Sequence, residues 1–583
     1  FQENADGINL SARFALLTDD YTITGNQVID NNNNGIALDA QFDATLSTIL
    51  TSNTITGNLD DGIHISTTTV AGDVGSVTSG LGPWTLNVIS NNGTGNADAG
   101  IDISGVHNIT LGTLAAGNTI QNNTGDGIEI NFAPGTLNVV NATITGNNTE
   151  GTGDNLAGIN INSSGGNIVN VSNSTISDNL GDGVEINSTG VSLYTFTDNL
   201  IQRNQRDGFE FAEGGSSDLT INGTGVGTNL ITDNFFRGID IIVATSNPTV
   251  STVNIDNTQV LRNGRLSVFN GEGVYVVFSS DAAQRTAAFR DNQASLALAN
   301  GGAVNSRPGL IFNMTNNIIN NNGQAVGNIG GAGFVMRVGT SFGGLGFTTP
   351  GFFASDTLDG VVATVTDNSF GGNAGADVVF ESFRSTVNPN TTGGTWDDQD
   401  TAVRDNTNDT FNPTGFQSDP LARLDLIFNG NVGDELDATR QGAFYNNDEA
   451  VFKSRTQSQD TATDAPLLGG DDDGPFGSGA RPRNAQRLAA RDVAPGGTQL
   501  PPNIPTAANG GAFLFSGMGQ STFRVNLTGG NSFGLPTPTS DFLLDNNPYV
   551  DFNDANGDPL GAPNGGVAPF FIDNMPWGWS IFP

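Results

Sequence analysis

Carboxylates recur at one position of a short phrase in this 583-residue chain. The phrase is glycine, an apolar residue, any residue and a second apolar residue. It stands at residues 7–10, 35–38, 62–65, 100–103, 127–130, 158–161, 183–186, 208–211, 238–241, 273–276 and 333–336, with a degenerate copy at 377–380. Its third residue is in turn Asn9, Ala37, His64, Asp102, Glu129, Asn160, Glu185, Glu210, Asp240, Tyr275, Val335 and Val379. From Asp102 to Asp240, five of the six are acidic. If successive phrases stack as strands, neighbouring carboxylates sit about 5 Å apart. Like charges that close must be solvated, protonated or bridged by a cation. Three readings follow. With His64 beside it as a general acid or base, the stripe Asp102, Glu129, Glu185, Glu210 and Asp240 is a candidate catalytic groove, since the spacing matches a retaining glycosidase. It is also a candidate calcium ribbon. The third reading is a solvated face.

A second oxygen-rich segment lies near the C-terminus. Asp551, Asp554, Asn556 and Asp558 place oxygens as calcium loops do, although Pro559 stands where an EF-hand type of loop has glycine. Asp471–Gly474 and the group Asp405, Thr407 and Asp409 are weaker versions of the same pattern. Calcium is therefore the expected cofactor. Basic residues are scarce: Arg203, Arg206, Arg237 and Arg262 cluster at one corner of successive repeats, to hold an anionic sugar or to neutralise the acidic column.

Composition removes other chemistry. There are 21 basic and 59 acidic side chains, a net charge of −38, and Lys453 is the only lysine. Nucleic acid is an unsuitable partner for such a surface. The absence of cysteine excludes disulfides, thiolate metal sites and a cysteine nucleophile. With His64 and His107 as its only histidines, the chain has no His-rich metal site. No apolar run approaches the roughly 18 residues that span a bilayer. Phe1 is followed by no signal-like segment, which is expected of a chain whose N-terminal part has been removed.

The elements that position the stripe are legible from a second phrase, an apolar residue followed three positions later by asparagine. It occurs at Ile55/Asn58, Ile120/Asn123, Ile144/Asn147, Ile176/Asn179, Ile201/Asn204, Ile231/Asn234, Val260/Asn263 and Ile319/Asn322. Period-2 alternation puts Ile128 and Ile130 on one face and Glu129 on the other. Each phrase is then a strand too short to stand alone, and stacking makes the core continuous. Glycine opens corners closed to other residues. Asparagine tolerates left-handed backbone and can form a hydrogen-bonded ladder along the stack. A β-sandwich, the alternative, predicts hairpins without a fixed asparagine-to-glycine offset. A further strand, as in residues 137–140, 168–171 and 253–255, implies coils of two or three strands.

Residues 53–65 and 174–186 resemble the right-handed parallel β-helix repeat of the pectate-lyase-like superfamily, extracellular bacterial type. The resemblance covers about residues 1–380. It implies an all-β right-handed parallel β-helix, a β-solenoid, and an active groove, where there is one, on the outside of a strand column. Members include lyases, glycosidases, tailspikes, adhesins and surface proteins. Pectate lyases of this fold use a basic residue near bound calcium, and its polygalacturonases carry Gly-His-Gly and Arg-Ile-Lys, neither of which occurs here.

The expected organisation is a β-helix of about twelve coils over 1–380, on the order of 60 Å long, loop-rich insertions with irregular further coils over 381–510, and a C-terminal β region over 511–583. The last of these ends in an apolar tail containing Phe570, Phe571, Trp577, Trp579 and Phe582. The chain opens already in phrase, so its first coil is expected to be covered by an upstream segment or by the tail of another copy. The second option generates filaments. The favoured function is thus an extracellular or cell-surface structural protein, a self-associating subunit of a fibre, surface layer or adhesive rod, without enzymatic activity. A polysaccharide lyase or glycoside hydrolase, or a glycan-binding module, is the alternative. Tyrosine and tryptophan, which stack on sugars, number only five and four.

Overall fold

Alternating apolar residues must find a common interior, and in the computed structural model they find it by stacking. The structure describes residues 2–280 apart from breaks at 14–17, 71–72, 81, 95–97, 133, 150–155, 226, 246–249 and 265–270. Beyond these it describes 309–323, 332–338, 361–373, 378–384, 423–433, 450–456, 515–516, 522–526, 542–545 and 580–582. They fall into two units, residues 1–241 with 252–263 and residues 242–251 with 264–583. All regular structure among the described residues is β-strand, and no helix among them is long and apolar enough to cross a membrane.

The first unit is a parallel β-helix whose coils each contribute to three sheets. Glycine phrases form one sheet, running through Ile63–Val70, Ile101–Ser104, Ile128–Asn131, Ala157–Ser163, Asp182–Ser188 and Phe209–Glu213. Asparagine phrases form the second, through strands such as Thr119–Gln121, Thr143–Thr145 and Thr175–Ser177. The third holds His107–Leu111, Gly135–Val140, Asn167–Ser172 and Leu193–Thr197. Pairing is parallel and in phase, with Ile101 opposite Ile128, Asp102 opposite Glu129 and Ile103 opposite Ile130. Among the described residues the antiparallel exceptions are a short pair in which Thr69 faces Val74 and Val70 faces Asp73, and an isolated bridge between Thr113 and Ala116.

The core is columnar. Ile63, Ile65, Ile101, Ile103, Ile128, Ile130, Val184, Ile186, Ile239 and Ile241 are at most 1% exposed, as the alternation requires. Each such side chain contributes about 1.5–3 kcal/mol of transfer free energy. Aromatic side chains join the same core: Phe196 meets Phe209 edge to face at 4.8 Å between centroids, and Tyr194 meets Phe211 at 6.1 Å.

Two corners differ in cause from the sequence expectation. The phrase glycines do not have positive φ. They are required by close approach: a Cβ on Gly127 would lie 2.5 Å from the Gly158 oxygen and 2.6 Å from Ile144 Cγ2. The ladder asparagines are not left-handed either. The residue before each one is, as at Asp30, Asn122, Asp178, Arg203, Asp233 and Arg262, with φ between 53° and 60°. The asparagine itself turns inward. Asn123 donates through its backbone N–H and Nδ2 to Asn147 Oδ1 at 3.2 and 2.9 Å, and Asn147 repeats this on Asn179 at 3.0 and 3.0 Å. The chain of bonds runs on through Asn204, Asn234 and Asn263. A parallel ladder at another corner joins Asn26, Asn53, Asn87 and Asn118.

The second unit uses the same grammar with longer excursions. Val274–Ser280, Phe334–Val338, Val378–Arg384 and Ala450–Thr456 stack in parallel. Leu310–Thr315, Val361–Thr366, Arg423–Asn429, Thr522–Asn526 and Ser580–Phe582 form another parallel column. Asn317, Asn368 and Asn431 form its ladder. Of the apolar tail only Ser580–Phe582 is described, and it pairs with Thr522–Asn526 of the same chain.

Candidate functional site

The site grows from the two residues that flank each phrase opening. The residue before the glycine and the third residue of the phrase are three apart, which in a straight strand means opposite faces. The tight glycine corner turns both to the outside of the same sheet. Five aspartates occupy the first position, Asp6, Asp61, Asp126, Asp182 and Asp207, and the last four share one arrangement. One oxygen of each accepts a backbone N–H from the next rung. Asp61 Oδ1 takes Ala99 N–H at 2.6 Å, Asp126 Oδ1 takes Ala157 at 2.5 Å, Asp182 Oδ1 takes Asp207 at 2.7 Å and Asp207 Oδ1 takes Arg237 at 2.6 Å. The other oxygen faces the stripe.

The stripe itself is not a solvated face, which corrects that reading. Asp102, Glu185 and Asp240 are 6%, 2% and 3% exposed, and Glu129, Glu210 and His64 are half-buried. Depriving these carboxyls of water has the expected electrostatic result. Burial, then the neighbouring Asp102, pushes Glu129 up to about 7. Burial and then Glu129 raise Asp126 well above the carboxylate range. Burial lifts Asp182 and Glu210 strongly too, reinforced first by Asp207 in one case and by Asp240 in the other. Asp207 is pushed up to about 7 by burial and then Asp240.

Three local clusters result. At the first, His64 Nδ1 lies 2.8 Å from Asp102 Oδ2 and 3.1 Å from Asp61 Oδ2. Hydrogen bonds to Asp102 and Asp61 push the imidazole up to about 10, and burial pushes Asp61 up to about 6. His64 is thus engaged rather than simply exposed. At the second, Asn160 Nδ2 donates to Asp126 Oδ2 at 3.0 Å beside Glu129. The third gathers Asp182, Asp207 and Glu210, each offering a ligand atom within 4.8 Å of the others.

The four arginines do not form one patch. Arg203 pairs with Asp178 at 2.7 Å and Arg262 with Asp233 at 2.8 Å, both at the exposed corner. Arg206 Nε lies 3.8 Å from Asp182 Oδ2, and Arg237 bonds Asp240. Two arginines therefore neutralise the acidic column and two serve neighbouring aspartates.

Of the expected site residues, the structure brings Asp102 to His64, and sets Glu210 beside Asp182 and Asp207. It separates the His64 group from Asp240 by several rungs. The loop residues Asp551, Asp554, Asn556 and Asp558, together with 405–409 and 471–474, lie outside the described residues. Sequence reasoning passed over Asp61, Asp126, Asp182 and Asp207, although an Asp-Gly pair opening the phrase was their signal. The chain matches no protein-family model, no curated protein and no solved structure.

Proposed function

We propose that the chain is an extracellular structural protein, a self-associating subunit of a fibre, surface layer or adhesive rod. The observation that supports it best is the asparagine ladder. From Asn123 to Asn263 each rung meets the next with a buried donor and acceptor of the same kind, so that the repeat is complementary to a copy of itself. Such a stack stores its stability in nearest-neighbour contacts and extends without new chemistry. Membership of the pectate-lyase-like superfamily belongs to the same proposal and rests on the phrases at 53–65 and 174–186. The test is sedimentation and negative-stain microscopy of the full chain over a range of concentrations. Filaments or sheets that grow with concentration are expected. A single-chain particle throughout would reject the reading.

A second reading is favoured by one specific observation: Glu129, pushed up to about 7, stands in register beside Asp102. A carboxyl raised toward its acid form with a second carboxyl next to it in register is the arrangement that a retaining glycosidase uses for acid and nucleophile. Release of reducing ends from an acidic polysaccharide panel, lost in Glu129→Gln, would move the assignment to an enzyme.

A further inference from the structure

Asp61, His64 and Asp102 converge on a point where hydrogen bonding alone is poorly satisfied. His64 Nδ1 sits 3.1 Å from Asp61 Oδ2 and 2.8 Å from Asp102 Oδ2. One N–H points in one direction, so two carboxylate oxygens divide a single donor. Asp61 Oδ2 meets no other donor among the described residues. Both carboxylates are fixed from behind. Ala99 N–H holds Asp61 Oδ1 at 2.6 Å, and Ser104 Oγ lies 3.0 and 2.9 Å from the two oxygens of Asp102, with Asn131 Nδ2 at 3.4 Å from Oδ1. Such outer partners orient ligands toward a metal. Bonds of about 2.0 Å in a tetrahedron place ligand atoms about 3.3 Å apart, close to the separations seen. The side chains of Asp61 and Asp102 are 7% and 9% exposed but His64 is 30% exposed, which leaves an entry path and room for water.

We infer that Asp61 Oδ2, His64 Nδ1 and Asp102 Oδ2 bind one divalent ion of the zinc class, with water completing its coordination. One imidazole nitrogen and two carboxylate oxygens suit a borderline ion. Calcium takes six to eight oxygens, more than this corner offers. On binding, the Nδ1 proton leaves to solvent as the metal takes the nitrogen lone pair. Asp60 and Asp98, adjacent acids, add an attractive field for the cation. The site stands independently of the structural reading above, since a rod and an enzyme could both carry it.

The full chain, stripped with chelator, is titrated calorimetrically with Zn2+ near neutral pH in two buffers of different ionisation enthalpy, and with Co2+ in the visible. One equivalent of Zn2+ with release of about one proton is expected, together with Co2+ bands of a low-coordinate nitrogen and oxygen site. His64→Gln should weaken binding about tenfold or more, while Glu3→Gln, at an exposed position away from both acidic clusters, leaves it unchanged. No binding of Zn2+ by the wild-type chain, binding insensitive to His64→Gln, or equal competition by Ca2+ would each overturn the inference. If His64→Gln does not fold, the wild-type Co2+ spectrum decides: a purely octahedral, all-oxygen spectrum rejects the site.

Discussion

Asn147→Ala isolates what the inner ladder contributes. Asn147 is fully buried. Its Oδ1 accepts the Asn123 backbone N–H at 3.2 Å and Asn123 Nδ2 at 2.9 Å, while its Nδ2 donates to Asn179 Oδ1 at 3.0 Å and to the Ile120 oxygen at 3.3 Å. Truncation removes all four contacts and leaves the Asn123 N–H facing a space without an acceptor. An orphaned buried donor costs about 1–3 kcal/mol, and each satisfied bond contributes about 1 kcal/mol net. With the other three bonds added to the orphaned donor, the sum is about 4–6 kcal/mol. Asn170→Ala is the control, since Asn170 Nδ2 donates to Asn138 Oδ1 at 2.9 Å in a half-buried position; about 0.5–1 kcal/mol is expected there. Urea unfolding followed by circular dichroism reads the global shift. Because a long repeat array can unfold in parts, amide exchange of the peptide carrying Asn123 is measured alongside and should lose protection. Equal shifts for the two variants, or an unchanged Asn123 amide, would refute the reasoning.

Gly127→Ala should destabilise by about 1–3 kcal/mol, because its Cβ would press on the Gly158 oxygen at 2.5 Å; an unchanged melting temperature would show that the rungs can separate freely. Phe209→Ala should lose about 3–5 kcal/mol, since Phe209 is fully buried against Phe196, and a loss below about 1 kcal/mol would contradict that packing. Stability should fall as pH rises. Asp207 is pushed up to about 7 by burial and then Asp240, with Arg237 and Arg206 opposing, and Glu213 is pushed up to about 7 by burial, with Ser217 and Ser188 opposing. Unfolded, both return to the ordinary carboxylate range. Between about pH 4 and 7 the folded state therefore binds more protons than the unfolded state, and the free energy of unfolding declines with pH. A melting temperature higher at about pH 8 than at about pH 5 would contradict the sign.

Much of the fold was written in the sequence, because a parallel β-helix has one local rule repeated. Alternation at Ile128, Glu129 and Ile130 fixes which side is inward, and the apolar-to-asparagine spacing at Ile144/Asn147 fixes the corner. Both depend on strand geometry alone. The sequence also determined the outward stripe, for the same reason. What only the tertiary structure decided was its environment. Burial of Asp102, Glu185 and Asp240 depends on how neighbouring rungs close over the sheet, which a period does not encode. The meeting of Asp61 with His64 and Asp102 was hidden more deeply. Asp61 and His64 are three residues apart, so strand periodicity assigns them to opposite faces. The tight corner at Gly62, packed 2.6 Å from the Gly100 oxygen as measured from an added Cβ, brings them to the same side. Asp102 then arrives from the next rung because parallel pairing sets it opposite His64. Local alternation determines a strand's faces, whereas a corner's bend and a rung's register arise only when the coils stack.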